Sequence, residues 1–342
     1  MQAAVLEAFG PPECYVHRAL PIPSPAQNEI LVRVDACGVC GEDVIVRRGD
    51  VPSLGSLLPL VQGHELAGEV VEVGSGVMGI TPGDMIVIAQ LGPCHRCEFC
   101  RAGRETLCAN RITYGEDVPG GYGGYCVVDA AEAVKVPTNV DVTAAAVSAC
   151  AIAVSVRALR LAPLGGGQRL VVTGAGGGVG VHALQVGRSY GAQTIAVTSS
   201  VRKRAVLEEF ADEVIVGPET LAEQLRRNRT QPDIVLELTS GITFEQSMRA
   251  VGRGGTVVLV GNIDLRPVEL LPGAMIMRET TVRGSTGAAR ADVVEALRLI
   301  SKGDVRPVIA SVLPIERIAE AHRLLESATA IGRVVVTHSH RH

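Results

Sequence analysis

One stretch of the chain, between Cys40 and Glu65, combines side chains that bind transition metals. It begins Cys40-Gly41-Glu42-Asp43 and ends Gly63-His64-Glu65, with a loop that contains proline and glycine between. A cysteine sulfur and a histidine nitrogen are good zinc ligands, and a nearby carboxylate can hold the imidazole through its other ring nitrogen. The stretch therefore supplies half of a zinc site, although a lone cysteine or histidine is more often structural than a ligand.

Four cysteines with the spacing C-x2-C-x2-C-x7-C form the strongest local motif: Cys94, Cys97, Cys100 and Cys108. Four thiolates can surround one Zn²⁺ tetrahedrally and leave no open position, so such a site fastens a loop and does no chemistry. The usual bacterial iron–sulfur run ends C-x3-C-P, whereas Ala109 follows the last cysteine here. A disulfide is disfavoured in a cytosolic protein. We expect a structural zinc, with His95 at the surface and not a ligand.

A glycine-rich turn follows Arg169 and lies between a strand pattern and a helix pattern. Residues 170–173 predict a buried strand, 181–190 a helix and 194–198 the next strand. This order is typical of a dinucleotide-binding unit, because glycines let the backbone approach a pyrophosphate and the helix N-terminus supplies free N–H groups. An ordinary glycine-rich turn is the weaker interpretation. The predicted cofactor-binding residues of the turn are Gly174, Gly176, Gly177, Gly178, Val179 and Gly180.

The end of the second strand of this unit indicates which cofactor form binds. NAD sites usually place a carboxylate there to hold the ribose 2′-hydroxyl. The sequence instead reads Thr198-Ser199-Ser200, followed by three basic residues, Arg202, Lys203 and Arg204. Hydroxyls and basic side chains could bind a 2′-phosphate, so we expect NADP(H) to be preferred over NAD(H). The alternative is that the basic residues are the solvated first turn of a helix.

The composition bounds the elements that must position these groups. The chain has 342 residues, 47% hydrophobic and 3% aromatic, with no tryptophan and 39 glycines, which suits an α/β fold with buried parallel strands. The net charge is −4 and no long basic run occurs, so nucleic acid is not an expected partner. No signal-peptide pattern or apolar run of about 18 residues is evident, so we expect a soluble, cytoplasmic protein without a membrane partner. Its nine cysteines are then metal ligands or free thiols.

The pattern changes along the chain. The first part reads as short strands and turns, with the candidate metal-binding residues on loops. From Val142 an alanine-rich helical pattern runs past Cys150 to Leu159. After the glycine turn, strand patterns alternate with helical stretches, which predicts a doubly wound parallel sheet.

Over essentially its full length, the chain resembles the zinc-dependent, alcohol-dehydrogenase type of the medium-chain dehydrogenase/reductase superfamily. The motifs that carry the resemblance are 38–41, 63–68, Val73-Gly74, Gly83-Asp84 with Val87, the four-cysteine lobe, Cys150 and the glycine turn. The resemblance implies an α/β protein with two domains. A GroES-like, mostly β catalytic domain would comprise 1–151, with 285–342 returning to it, and a doubly wound Rossmann domain would comprise 152–284.

The resemblance also implies a catalytic zinc held by Cys40, His64 and Cys150, and hence two zinc ions per subunit. On its own, Cys150 reads as a cysteine in a helix core. Glu65 would lie behind the ligands, and Asp43 would orient the His64 ring. The zinc would polarise the oxygen of an alcohol or carbonyl substrate while a hydride passes to or from the nicotinamide.

Two further residues are predicted to contact the cofactor. Arg333, in Gly332-Arg333-Val334, occupies the place where the family often has a pyrophosphate-binding arginine. A surface arginine that caps a strand is the alternative. Asn262, in the run Gly261-Asn262-Ile263-Asp264, is the other predicted contact.

The sequence departs from the family where many relatives relay the substrate proton. They have Ser or Thr two residues after the first zinc cysteine and His three residues further on, whereas this chain has Glu42 and Ile45. Four residues after Cys150, a frequent Thr is replaced by Val154. We hypothesise that Glu42 acts as the acid/base group or approaches the zinc as a further ligand. An outward-facing loop glutamate is the alternative.

The second half is also similar to acryloyl-CoA-type reductases of the same superfamily, on 179–185, 261–264 and 306–310. The leading prediction is an NADP(H)- and zinc-dependent alcohol dehydrogenase or carbonyl reductase that acts on a small molecule. The second is a reductase of enoyl thioesters or enones, for which zinc need not be essential. A non-catalytic protein of this fold is the third, and the complete ligand set argues against it. Because relatives are commonly dimers or tetramers, we expect a homodimer or homotetramer.

Overall fold

The computed structural model describes residues 1–50, 58–162, 164–261 and 263–340. The strands are β1 (Gln2–Leu6), β2 (Tyr15–Ala19), β3 (Glu29–Val39), β4 (Glu65–Val73), β5 (Met85–Ile88), β6 (Leu91–Gly92), β7 (Ile112–Thr113), β8 (Tyr125–Asp129), β9 (Ala133–Lys135), β10 (Arg169–Val172), β11 (Gln193–Thr198), β12 (Glu213–Val216), β13 (Ile234–Glu237), β14 (Thr256–Leu259), β15 (Thr281–Gly284), β16 (Ile309–Pro314) and β17 (Arg333–Thr337). The helices are α1 (Gly41–Arg48), α2 (Glu98–Arg101), α3 (Val142–Val147), α4 (Ala153–Leu161), α5 (Gly178–Ser189), α6 (Arg204–Leu207), α7 (Leu221–Arg227), α8 (Phe244–Ala250), α9 (Pro272–Arg278), α10 (Arg290–Lys302) and α11 (Ile318–Glu326).

The chain divides into two compact units. The first comprises Met1–Ala153, Gly287–Lys302 and Ile309–His342, and the second comprises Val154–Thr286 and Gly303–Val308. The sequence placed the boundaries at 151/152 and 284/285, two residues earlier in each case. It also assigned the whole of 285–342 to the first domain, whereas the short segment Gly303–Val308 packs with the second unit.

The first unit is built on a mostly antiparallel sheet in the order β16-β17-β3-β4-β5-β9, with β8 also paired to β3. The long strand β3 is central, since it pairs with β4, β8 and β17. Its alternate residues Ile30, Val32 and Val34 are fully buried, as expected when one face of a sheet packs on a hydrophobic core.

The second unit contains a six-stranded parallel sheet in the order β12-β11-β10-β13-β14-β15. The chain moves outward from β10 through β11 to β12, and then returns to the other side of β10 to form β13. Ligands of such sheets bind beyond the carboxyl ends of the strands at this switch point. The predicted fold class, a mostly β domain combined with a doubly wound parallel sheet, is confirmed.

A continuous helical stretch, Val142–Leu161, contains α3, a π-helical turn over Ser148–Ile152 and α4. Its length and composition would suffice to cross a membrane, a feature that was not predicted from the sequence. However, 83% of its apolar window is buried within the structure, which is the behaviour of a core helix.

Candidate active site and metal centres

The pairing of β3 with β4 brings Cys40 and His64 together. Gly38 is the register partner of Glu65, so the residues that follow β3 lie beside those that precede β4. Glycine at position 38 leaves room for the carboxylate of Glu65, because a Cβ atom there would lie 2.0 Å from its Oε2. Two residues that are distant in sequence are therefore neighbours because of the antiparallel register.

The residues after Cys40 form a helix, not the predicted loop. Cys40 is the N-cap of α1, and its backbone N–H donates to Oδ2 of Asp43 at 2.8 Å in a capping box. The helix ends at Gly49, whose φ of 77° suits the left-handed C-cap. Glu42 and Asp43 are thus held on a short rigid element, directly beside the first candidate ligand.

Cys150 reaches the same place from the π-helical turn Ser148–Ile152. Such turns are uncommon and often occur at functional sites, because the extra residue redirects side chains. Cys40, His64, Glu65 and Cys150 each offer a ligand atom, these atoms lie within 4.8 Å of one another, and all four residues are buried. The structure therefore brings together the three residues predicted to hold the catalytic zinc, and Glu65 with them.

The chemistry of this set fits zinc. Both ring nitrogens of His64 are buried without a hydrogen-bond partner among the described residues, and Nδ1 lies 3.6 Å from Oδ1 of Asp43. A buried polar atom without a partner is costly, and a metal ion would satisfy it. A hydrogen bond with Cys150 and the nearby Arg333 hold the pKa of Cys40 well below its usual range, which favours a thiolate ligand.

Glu65 faces Arg333 within the buried site. Nη2 of Arg333 lies 2.9 Å from Oε1 of Glu65, although neither atom forms a well-aligned hydrogen bond in the described part of the chain. Burial raises the pKa of Glu65 to about 8, and Arg333 opposes this shift. Arg333 is 4% exposed and also approaches the carbonyl of Val39, so it is a buried residue and not a surface cap. Its role at a pyrophosphate stays a prediction.

Glu42 is exposed and accepts a hydrogen bond from Nε2 of Gln90 at 3.0 Å. Ligand atoms of Glu42, His64 and Glu116 lie within 4.8 Å of one another. Glu116 was not predicted from the sequence because it stands in an ordinary turn, Tyr114-Gly115-Glu116-Asp117, with no motif around it. Only the tertiary packing of that turn could have revealed it.

The four-cysteine lobe is also brought together. Cys94, Cys97, Cys100 and Cys108 are free thiols whose sulfur atoms lie within 4.8 Å of one another. Backbone N–H groups of Arg96 and Cys97 lower the pKa of Cys94 to about 6, which favours a thiolate ready to bind metal. His95 turns away from this set with a φ of 55°, and its Nε2 lies 2.9 Å from Oε1 of Glu132.

In the second unit, the glycine turn connects β10 to α5. Gly177 is the N-cap of α5 and supplies no side-chain cap, so the first N–H groups of the helix are available to an anion. Gly174 has a φ of 58°, and a Cβ atom on Gly180 would lie 2.5 Å from the carbonyl oxygen of Gly174. Both positions thus require glycine, and Gly176, Gly178 and Val179 complete the turn.

The predicted 2′-phosphate residues follow β11. Ser199 is exposed and Ser200 is half-buried. Arg202 and Arg204 are exposed and form no ion pair or hydrogen bond with the described residues. Lys203 is 9% exposed and lies against Gly176, where its Nζ would be 3.3 Å from an added Cβ. Asn262, the other predicted cofactor contact, lies outside the described residues.

Family models match two parts of the chain. A model described as alcohol dehydrogenase GroES-like domain matches residues 26–138, and one described as zinc-binding dehydrogenase matches 210–336. The first match covers β3 to β9, and the second runs from β12 into β17.

Relatives match the chain over nearly its full length. An acryloyl-coenzyme A reductase of Metallosphaera sedula is 33% identical, over 98% of this chain and 100% of that protein. An alcohol dehydrogenase of Geobacillus stearothermophilus is 32% identical, with 98% of each chain covered. The crystal structure of AibC has a TM-score of 0.93 at 36% identity and covers 99% of this chain and 96% of its own.

Proposed function

Because this chain belongs to the zinc-binding dehydrogenases of the medium-chain dehydrogenase/reductase superfamily, we propose that it is a zinc-dependent oxidoreductase that transfers a hydride between NADP(H) and an alcohol or carbonyl substrate. The observation that carries the proposal is the buried set Cys40, His64 and Cys150, in which the imidazole nitrogens form no hydrogen bond with the described residues. We propose two zinc ions per chain, with the second in the four-cysteine lobe.

The proposed metal ligands and the carboxylates around them have different tasks. Cys40, His64 and Cys150 would hold a zinc ion that would supply Lewis-acid polarisation of the substrate oxygen, and a nicotinamide cofactor would supply the hydride chemistry. Asp43 accepts the backbone N–H of Cys40 and lies 3.6 Å from Nδ1 of His64, so one carboxylate is placed to orient two ligands. Oxidation of an alcohol releases a proton as well as the hydride, and the exposed carboxylate of Glu42 is positioned to take it.

The preference for NADP(H) rests on charge. The carboxyl end of β11 is followed by Ser199, Ser200 and the guanidinium groups of Arg202 and Arg204, which pair with none of the described residues. An arginine can bind a phosphate through two parallel N–H···O bonds. An NADPH-to-NADH ratio of kcat/KM above ten, falling toward one in an Arg202→Ala/Arg204→Ala double variant, would support this assignment.

The chemistry is tested by substrate and metal together. We expect NADPH oxidation with aldehydes or ketones, and its loss when a chelator removes the zinc. Enoyl-CoA and simple enones serve as the comparison substrates. Activity on C=C bonds alone, unchanged by zinc removal, would refute the leading proposal.

Reduction of an enoyl thioester is the second candidate, and two observations favour it. Ile45 and Val154 replace residues that many alcohol-oxidising relatives use. The full-length relative from Metallosphaera sedula is an acryloyl-CoA reductase. In that reaction the hydride would go to an activated C=C bond, and a proton source would be needed at the neighbouring carbon. Glu42→Gln separates the roles, since an unchanged pH profile of carbonyl reduction would exclude acid/base action by this residue.

A further inference from the structure

Glu116 is a buried carboxylate that nothing in the described chain satisfies. It is 8% exposed, and its Oε1 is buried without a hydrogen-bond partner among the described residues. A group in this environment has a large free-energy gain available from a cation or hydrogen-bond donor.

The fold places Glu116 beside His64 by close backbone packing. Gly115 has a φ of 78°, and a Cβ atom there would lie 2.7 Å from the backbone nitrogen of Gly63. The turn is closed by Asp117, whose Oδ2 accepts from the N–H of Thr113 at 2.7 Å. Glu116 therefore stands on a fixed turn that is pressed against the residue preceding His64.

Glu42 lies close to both Glu116 and His64. Its carboxylate, that of Glu116 and a His64 nitrogen all lie within 4.8 Å of one another. Gln90, 4% exposed, donates its amide N–H to Glu42 and so fixes that side chain. In the part of the chain that the structure describes, no lysine or arginine pairs with Glu42 or Glu116. Two carboxylates thus lie together next to a candidate zinc ligand.

We propose that Glu116 and Glu42 bind a protonated amine of the substrate, adjacent to the hydroxyl or carbonyl group that reacts. This assignment rests on the proposed oxidoreductase function and names its substrate class as 1,2-amino alcohols and α-amino carbonyl compounds. An ammonium group offers three N–H donors and a positive charge, and two carboxylates can share them. Because both carboxylates lie so close to His64, the amine must be within a few bonds of the reacting carbon.

Three compounds that differ in one group test the assignment: 1-amino-2-propanol, 1,2-propanediol and 2-butanol. We expect kcat/KM to fall in that order, with the amine about 10- to 100-fold above 2-butanol, as a charge-assisted hydrogen bond implies. Equal values for the amine and the diol, or a preference for 2-butanol, would overturn the assignment. Bound water would then be enough to supply the hydrogen bond that Glu116 lacks.

Binding without turnover separates this assignment from the function itself. Isothermal titration of the zinc-loaded enzyme with the same three compounds should show tightest binding of the amine. If none is oxidised but the amine still binds at least tenfold more tightly than 2-butanol, the hydride-transfer proposal fails and the amine site stands. If all three are oxidised without any preference, the hydride-transfer proposal stands and the amine site fails.

Substitutions test which residues cause the expected preference for the amine. Glu116→Gln keeps the shape and removes the charge, so the amine-to-butanol ratio should fall toward one. Glu42→Gln, on an exposed residue, should lower the same ratio and covers the case in which the first variant fails to fold. Glu132→Gln removes another buried carboxylate, 1% exposed and outside this group, and should keep the wild-type ratio. A wild-type ratio in both Glu116→Gln and Glu42→Gln would refute the site.

Discussion

Two fully buried glutamates, one in each unit, have opposite surroundings. Glu237, at the end of β13, accepts hydrogen bonds from the hydroxyls of Thr173 at 2.8 Å and Thr243 at 2.6 Å. Ser247 and the backbone after the strand donate to it as well. Glu65, at the start of β4, accepts no hydrogen bond within the described chain, and Arg333 at 2.9 Å and His64 at 3.8 Å lie beside its Oε1.

The difference separates structural polar groups from those that serve a ligand. A buried carboxylate whose lone pairs are all used specifies one arrangement of its neighbours, whereas an unsatisfied network is costly unless something else completes it. The cage of hydroxyl and backbone donors around Glu237 fixes the loop at the carboxyl edge of the parallel sheet. In the polar core of the first unit, by contrast, the proposed zinc ion would complete the network.

The largest expected effect comes from breaking the donor set. Cys150→Ser should reduce the zinc content from two ions per chain to one and lower kcat/KM by about 10³-fold, because several kcal/mol of Lewis-acid stabilisation is lost. Metal analysis and steady-state kinetics measure both. Cys126→Ser is the matched control, since Cys126 is also a buried free cysteine but belongs to neither metal-binding set. Two retained zinc ions in Cys150→Ser would contradict the assignment.

The next largest effect is expected on stability, from Glu237, whose carboxylate accepts several hydrogen bonds. Glu237→Gln places an NH₂ group among hydroxyl and backbone donors, and should lower the free energy of unfolding by about 2–4 kcal/mol while leaving the zinc content unchanged. Urea unfolding measures it. Glu245→Gln, on the exposed face of α8, should change stability by less than about 0.5 kcal/mol. A loss of zinc with no loss of stability in Glu237→Gln would show that Glu237 serves the metal site and not the fold.

The sequence predicted the parts of this contrast that depend on local spacing. The four cysteines and the glycine turn could be found because their residues lie close together in the chain, and the turn chemistry tolerates few alternatives. Glu116 could not be found, since its position depends on which turns and strands pack together. Most donors to Glu237 follow it closely in the chain, but the hydroxyl of Thr173 reaches it only because β10 and β13 are neighbours in the sheet. The position of Cys150 depends on a π-helical turn that no local pattern announces, and only the resemblance assigned it. Helix α1 was missed because it is short and lies in a region of strands.

A smaller effect is expected from the carboxylate that serves the ligands without binding metal. Asp43→Asn should weaken zinc binding about 10- to 100-fold, because the carboxylate that contacts His64 and the Cys40 backbone becomes a neutral amide. The rate of zinc release to a chromophoric chelator measures this. Asp50→Asn, on an exposed aspartate just after α1, should release zinc at the wild-type rate. Equal rates for the two variants would show that Asp43 only caps the helix.

The smallest effect is expected from Glu132. Its carboxylate is intermediate between that of Glu237, which accepts several hydrogen bonds, and that of Glu65, which accepts none from the described residues. His95 lies 2.9 Å from its Oε1, yet that oxygen has no well-aligned hydrogen bond with the described residues. Burial, with repulsion from Glu105 and Asp129, raises the pKa of Glu132 to about 8 from an ordinary 4.5. Between these values the folded protein holds a proton that the unfolded chain releases, so this group makes stability fall as pH rises.

Glu132→Gln should remove that fall, and its stability relative to wild type should increase by about 2 kcal/mol between roughly pH 5.5 and 7.5. Urea unfolding across this pH range measures the difference, with Glu98→Gln, an exposed change in the same lobe, expected to follow wild type. A parallel pH dependence of Glu132→Gln and wild type would mean that His95 keeps the carboxylate ionised. Glu132 would then resemble Glu237, whose carboxylate is stabilised by its neighbours.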